Sequence, residues 1–311
     1  MTVVSLASGL YCQGEAVVAA VAGATGLAIV TDTDLIQAAD SLSGMGTEAL
    51  GRTFAARTSL LARCTHEKEQ GLAWLRLALA TRLAANEPLL LAGWCGLLVP
   101  RAISHRLGVC LVADAASRLQ AAHDAGLPAG EARQAIERSD KDHAAWTRRA
   151  TGLADPFDPA LYDMVVPMDK TDPASAAACI VRHQTDPAVR PTEASRAAVR
   201  DFLLAARVGT VLAGQGQAVT VSARNGRVTL TIDKRVLFLA RLERHLRSTA
   251  MGIDGVTDVM TKVGRGFYQS DIYRQADFER AALCLPDSES REFTPTLSER
   301  LEREESGVRP A

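Results

Sequence analysis

Val3-Val4-Ser5-Leu6-Ala7-Ser8-Gly9-Leu10-Tyr11-Cys12-Gln13-Gly14-Glu15-Ala16 opens the chain and decides how the rest is read. Thr2 to Leu6 is a short β-prone run and Ala7 to Gly14 a loop bracketed by two glycines. Glu15 to Ala24 then reads as a helix and Leu27 to Val30 as a second strand. Strand, glycine loop, helix, strand is how a phosphate-binding α/β domain begins. The spacing Gly9-x-x-x-x-Gly14 suits a loop whose backbone N–H groups and following helix N-terminus cradle phosphates. On that reading Gly9, Tyr11, Cys12, Gln13, Gly14 and Glu15 line a nucleotide; on the other, the glycines only make a turn. The next two positions conflict with the first reading. A working loop carries Lys and then Ser or Thr after its second glycine, for the β/γ-phosphates and for Mg²⁺. Here Glu15 and Ala16 stand there, and a carboxylate on the first helical turn itself satisfies the positive end of the helix dipole.

The 311 residues suffice for one large or two modest domains. A net charge of −1 supplies no global field toward nucleic acid or anionic membrane, so no nucleic-acid partner is expected. The six cysteines are scattered without a Cys-x-x-Cys pair, as free thiols of a reducing cytosol are. Ala16 to Val30 is apolar, but no Lys or Arg precedes Arg52, and Gly23 and Gly26 split the run. No later segment reaches the ~20 apolar residues of a membrane span. The expected location is the cytoplasm, with no integral membrane segment. The six histidines show no metal-ligand spacing, so no structural metal is expected.

Downstream, Thr31-Asp32-Thr33-Asp34 caps a helix, and residues 41 to 70 are mixed, with His66-Glu67-Lys68-Glu69 as a solvated run. Helix 71 to 86 stops at Pro88; Leu89 to Ala92 and Val109 to Ala113 are continuously apolar strands of the buried parallel kind. Residues 126 to 150 form a long polar helix, Tyr162 to Val166 a last strand, and Ala174 to His183 a closing helix. The alternation implies a parallel sheet with helices on both faces, over residues 1–185. Residues 186–191 hold two prolines and read as a linker. A small α+β unit follows over 192–265: helix 193 to 213, a hairpin turning at Asn225-Gly226, a helix 234 to 249, and a strand ending near Val263. Residues 266–311 are polar and expected to be disordered.

Residues 1 to 183 resemble the cytidylate-kinase-like family, a branch of the P-loop nucleoside monophosphate kinases. The resemblance is carried by Ala7 to Glu15, by Thr31 to Ile36, and by Gly93-Trp94-Cys95-Gly96 after the third strand. Val109 to Ala113, the lid-like Asp140-Lys141-Asp142-His143-Ala144-Ala145-Trp146, and Tyr162-Asp163 complete it. It implies ATP and Mg²⁺ as cofactors and CMP or a similar acceptor. Lys141, Arg148 and Arg149 would then be the catalytic lid cations, if the chain is active, rather than a solvated helix face. Asp32, Arg52 and Arg57 would hold the acceptor, against readings as a helix cap and a salt-bridged surface. The departures share one direction. Arginines expected in the loop, after strand three, on strand four and in the lid are Glu15, Trp94, Cys110 and His143. Phosphoryl transfer is mainly positioning plus charge stabilisation, and each lost donor lowers the rate by roughly 10²–10³.

Residues 193 to 264 resemble a BON domain, through Asn225-Gly226-Arg227-Val228-Thr229-Leu230 and Gly255-Val256-Thr257-Asp258-Val259. This implies a protein or lipid-like hydrophobic partner. The expectation is a degenerate kinase-like domain with weak or no phosphotransferase activity, acting in nucleotide sensing or scaffolding through the BON-like module. The alternatives are an active nucleoside monophosphate kinase and a pure interaction protein that binds no nucleotide.

Overall fold

The computed structural model describes residues 2–56, 66–264 and 267. Arg57, Cys64 and, apart from Phe267, the expected disordered tail lie outside them. Strand β1 (Val3–Ser8) runs at the centre of a five-stranded parallel sheet, beside β3 (Leu89–Ala92) and β4 (Arg106–Val112). The edges are β2 (Ala28–Thr31) and β5 (Met164–Pro167), giving the order β2-β3-β1-β4-β5. Alternation along β1 sends Val3 and Ala7 into one core and Val4 and Leu6 into the other. Both faces are therefore covered, as parallel sheets require.

Helices α1 (Gly14–Thr25) and α7 (Pro173–Gln184) bring Val17, Val21 and Ile180 to one face. Helices α2 (Asp32–Ser43) and α4 (Glu67–Ala84) bring Leu35, Leu75 and Leu79 to the other. A short α3 (Thr47–Gly51) joins that second layer through Leu50. Two of these helices, α2 and α7, start with side-chain caps. Thr31 and Asp34 form a reciprocal capping box on α2, and Asp172 caps α7 ahead of Pro173. After β4 come α5 (Ala115–Asp124) and the long α6 (Ala129–Thr151).

Helix α8 (Glu193–Gly214) has two apolar faces. Val199, Phe202 and Ala206 join the core around α4, and Gln70 Nε2 donates to the Ala213 carbonyl at 3.2 Å. Val208 and Leu212 belong instead to a core with Val228, Leu230, Ile232, Leu246 and Val259. That core lies under a second sheet of β6 (Thr220–Arg224), β7 (Arg227–Ile232) and β8 (Asp258–Val263). β6 and β7 form an antiparallel hairpin turning at Asn225 (φ 49°) and Gly226 (φ 80°), the positive-φ pair its sequence requires. β8 pairs parallel to β7 after the crossover helix α9 (Leu239–Met251). The helix expected from residue 234 starts five residues later, at the first residue whose side chain reaches this core. Among the described residues no helix is long and apolar enough to cross a membrane.

Candidate functional site

In an open parallel sheet, ligands enter at the carboxyl ends of the strands where the strand order reverses. Here that place is the end of β1, between the ends of β3 and β4. The loop leaving β1 holds two non-glycine residues in left-handed backbone, Tyr11 (φ 63°) and Gln13 (φ 56°). Gly14 is fixed by packing: a Cβ there would lie 2.7 Å from the Ser8 Cβ and Oγ. At Gly9 a Cβ would come within 3.0 Å of Cys12 Sγ and 3.5 Å of the Phe157 ring. The loop's own contacts thus account for both glycines. Cys12 is buried, and burial raises its thiol pKa despite the nearby Arg118, so it is no activated thiol. Glu15 and Ala16 are exposed on the first turn of α1.

Arg118, in the first turn of α5, is the residue that sequence reasoning passed over. It is buried, its Nε donates to the Leu10 carbonyl at 2.8 Å, and its two terminal nitrogens grip both carboxylate oxygens of Asp140 at 2.9 and 2.8 Å. The only signal in the sequence was a cation where the helix dipole disfavours one. Arg118 ties the loop to the middle of α6.

The end of β3 is held by Asp32. Gly93 (φ 140°) turns the chain so that the N–H groups of Trp94 and Cys95 donate to the two carboxylate oxygens at 2.7 and 2.8 Å. A Cβ on Gly93 would overlap that carboxylate. Burial raises the Asp32 pKa while the two N–H groups oppose the rise. Asp32 therefore braces a turn, whereas Asp34 closes the capping box of α2.

Aromatic rings fill the space above. Trp94 stacks on His143 with centroids 3.9 Å apart and meets Phe157 edge-on at 5.9 Å. Trp146, fully buried, donates Nε1 to the Trp94 carbonyl at 2.8 Å and stacks on Phe54 at 4.1 Å. Burial pushes the His143 pKa down to about 4, more than Asp140 and Asp142 raise it.

The lid cations are divided. Lys141 is exposed, and Arg148, about 10 Å further along the helix, is half-buried. Arg149 donates to the Ala55 carbonyl at 2.9 Å, and Lys68 Nζ reaches the same oxygen at 2.6 Å. Asp142 closes this turn by accepting from the Ala56 N–H at 2.6 Å. Lys68 is thus buried and not part of a solvated run; burial, then the neighbouring Arg149, pushes its pKa down to about 8. Arg52 pairs with Glu67 at 2.8 Å. Cys110 sits under the loop with its thiol pushed up to about 12 by burial. Tyr162 donates its hydroxyl to the Pro156 carbonyl at 2.6 Å, and Asp163 accepts from the Gly108 N–H at 2.6 Å. Among the described residues no group of three or more His, Cys, Asp or Glu is placed to hold a metal ion.

The structure thus brings the loop, Asp32, Trp94, His143 and α6 together at the sheet's carboxyl edge. The lysine and hydroxyl that ATP and Mg²⁺ require at the loop are absent, and Phe157 covers Gly9, so these residues do not fit that pair of ligands. No curated protein matches the chain. Among solved structures, an uncharacterized protein from Eubacterium ventriosum is similar at 12% identity and a TM-score of 0.43, over 59% of this chain and 98% of that one. A shikimate kinase from Acinetobacter baumannii in complex with shikimate is similar at 13% identity and a TM-score of 0.35, over 59% of this chain and 92% of that one. The family model described as the cytidylate kinase-like family matches residues 3–170, more than half of the chain. By that match, the chain belongs to the cytidylate kinase-like family.

Proposed function

We propose that this chain is a non-catalytic member of its family, in which the kinase-like half is a rigid scaffold for a C-terminal partner-binding module. The observation that carries this is the packing of Trp94, His143 and Phe157 over the carboxyl end of β1. Catalysis of phosphoryl transfer needs preorganised positive charge around the γ-phosphate. At the loop this chain offers Glu15, and Arg149 is already engaged with backbone carbonyls. The expected result is negligible CMP-dependent ATP consumption by the purified protein. Turnover of about 1 s⁻¹ or more, the low end of ordinary enzyme rates, would establish the active-kinase reading in its place. A calorimetric titration with ATP and Mg²⁺ separates scaffolding from sensing: heat of binding that Glu15→Lys with Ala16→Ser strengthens would mean that the loop still receives phosphate.

The module is taken to span residues 192–265. Its order of helix, hairpin, helix and parallel strand supports the BON-like reading. Its binding surface is assigned to the segment before α9. There Leu237 is 95% exposed and Phe238 73% exposed, beside the exposed cations Lys234, Arg235 and Arg241. Two adjacent, protruding apolar side chains flanked in sequence by cations, of which Lys234 also pairs with Glu69 at 3.8 Å, suit an anionic, lipid-like partner. The protein is expected to co-sediment with phosphatidylglycerol vesicles, and Leu237→Asp with Phe238→Asp to reduce the bound fraction at least tenfold. Equal sedimentation of the variant, or none by the native chain, rejects the lipid-like partner.

A further inference from the structure

A cleft of about 550 Å³ opens at the amino edge of the sheet, beside the C-terminal end of α4 and at the other end of the strands from the loop, and nothing above assigns it a role. Its walls are the C-terminal end of α4 at Leu83, one face of α8, and the turns at Asn225-Gly226 and Asp254-Gly255. Its volume falls in the range of small-molecule sites. Three arginines of α8 line it: Arg196, Arg200 and Arg207. At four and eleven residues from the first, they lie within about 40° of one another around the helix and along about 16 Å of its axis. Arg200 pairs with Glu193 at 3.0 Å on an exposed surface, an ion pair weak enough to be exchanged. Arg196 and Arg207 have no carboxylate within ion-pairing distance among the described residues. Of the acids, Asp201 accepts from the Asn225 N–H at 2.7 Å, and Asp254 lines the cleft beside Gly255. Val199, Leu203 and Leu204 give the cleft an apolar side.

His105 adds a specific feature. It is 2% exposed, lines the cleft, and meets Ser195 Oγ through Nδ1 at 2.8 Å. Ser195 Oγ can donate its one proton to the Thr192 carbonyl and accepts from the Thr192 N–H. With that proton directed at the Thr192 carbonyl, the remaining lone pair accepts from Nδ1 and leaves Nε2 as the acceptor of the ring; with it directed at Nδ1, the roles of the two nitrogens exchange. Burial favours the neutral ring.

We infer that this cleft binds a small phosphorylated molecule bearing hydroxyl or amino groups, its phosphates along the arginine row of α8 and a donor group toward His105 and Asp254. Arginine forks match phosphate oxygens in geometry as well as charge. The loop site and this cleft are separate, so the inference does not rest on the reading of the loop.

The test is calorimetry on the full chain at one salt concentration, with inorganic tripolyphosphate and with ADP as probes. Arg196→Glu with Arg207→Glu reverses two of the row's three arginines; Arg244→Glu with Arg247→Glu changes the net charge equally on α9, outside the cleft and outside the Leu237–Phe238 surface. All four residues are exposed, so each variant is expected to fold. Both probes are expected to bind the native chain, ADP more tightly, and to lose at least tenfold in affinity in the α8 variant and under twofold in the α9 variant. Tripolyphosphate binding without a gain for ADP would reduce the ligand to an inorganic polyanion and overturn the assigned donor group. Equal losses in both variants would mean a nonspecific charge effect. ADP binding that survives the α8 variant would place it elsewhere, and no binding by either probe would reject the cleft as a phosphate site.

Discussion

Replacing Trp146 by alanine is expected to destabilise the folded chain by about 4 kcal/mol, the range of Trp→Ala truncations in a packed core. Trp146 is fully buried between Phe54 and the turn after β3, so its removal leaves a cavity that flanking helices cannot fill without moving. It also strands the Trp94 carbonyl, whose indole donor lies at 2.8 Å. Trp146→Phe separates the two effects. It keeps most of the ring area and loses the donor, so about 1–2 kcal/mol is expected. Urea denaturation of the three proteins measures both. A loss below 1 kcal/mol for the alanine variant would mean that the aromatic layer does not hold α6 to the sheet.

Acidification is expected to weaken the fold through His143. Its folded pKa, about 4, lies below the ordinary 6.5 because burial against Trp94 disfavours the imidazolium. As pH falls, the unfolded chain takes up this proton first. The contribution is therefore fully present above about 6.5 and is lost as pH falls through 4. At 1.36 kcal/mol per pH unit the interval corresponds to about 3 kcal/mol at most. Asp140 and Asp142 face the ring and favour its charged form, while Arg118 opposes it. His143→Phe keeps a flat ring on Trp94 and cannot titrate. Between pH 7 and pH 4.5 the variant should lose about 2 kcal/mol less stability than the native chain. Equal losses would show that His143 is free to charge in place.

Much of the fold was legible because it rests on local patterns. Leu89 to Ala92 is a four-residue apolar run that becomes a strand with the same bounds, since both its faces are buried. Asn225-Gly226 dictated its hairpin through backbone conformation alone. The site was less legible because its partners are distant in sequence. Lys68 stands between two glutamates and looks solvated, yet its carbonyl partner is thirteen residues earlier in a separate turn. Asp32 follows a capping threonine and reads as a cap, but its donors are 62 and 63 residues away. Arg118 contacts residues 108 positions before it and 22 after it, which no periodicity announces. The glycine spacing was visible, whereas the ring of Phe157 that covers Gly9 comes from a segment without any motif of its own.

The Arg118 guanidinium has a kinetic consequence. Swinging the middle of α6 away from the sheet would break both bonds to Asp140 and free the side chain that holds the Leu10 carbonyl. Loop and helix then cannot loosen separately. Backbone amides around residues 10–13 and those around 140 should exchange with deuterium at one shared opening rate, as a single cooperative unit, while the Thr220–Arg224 strand keeps a rate of its own.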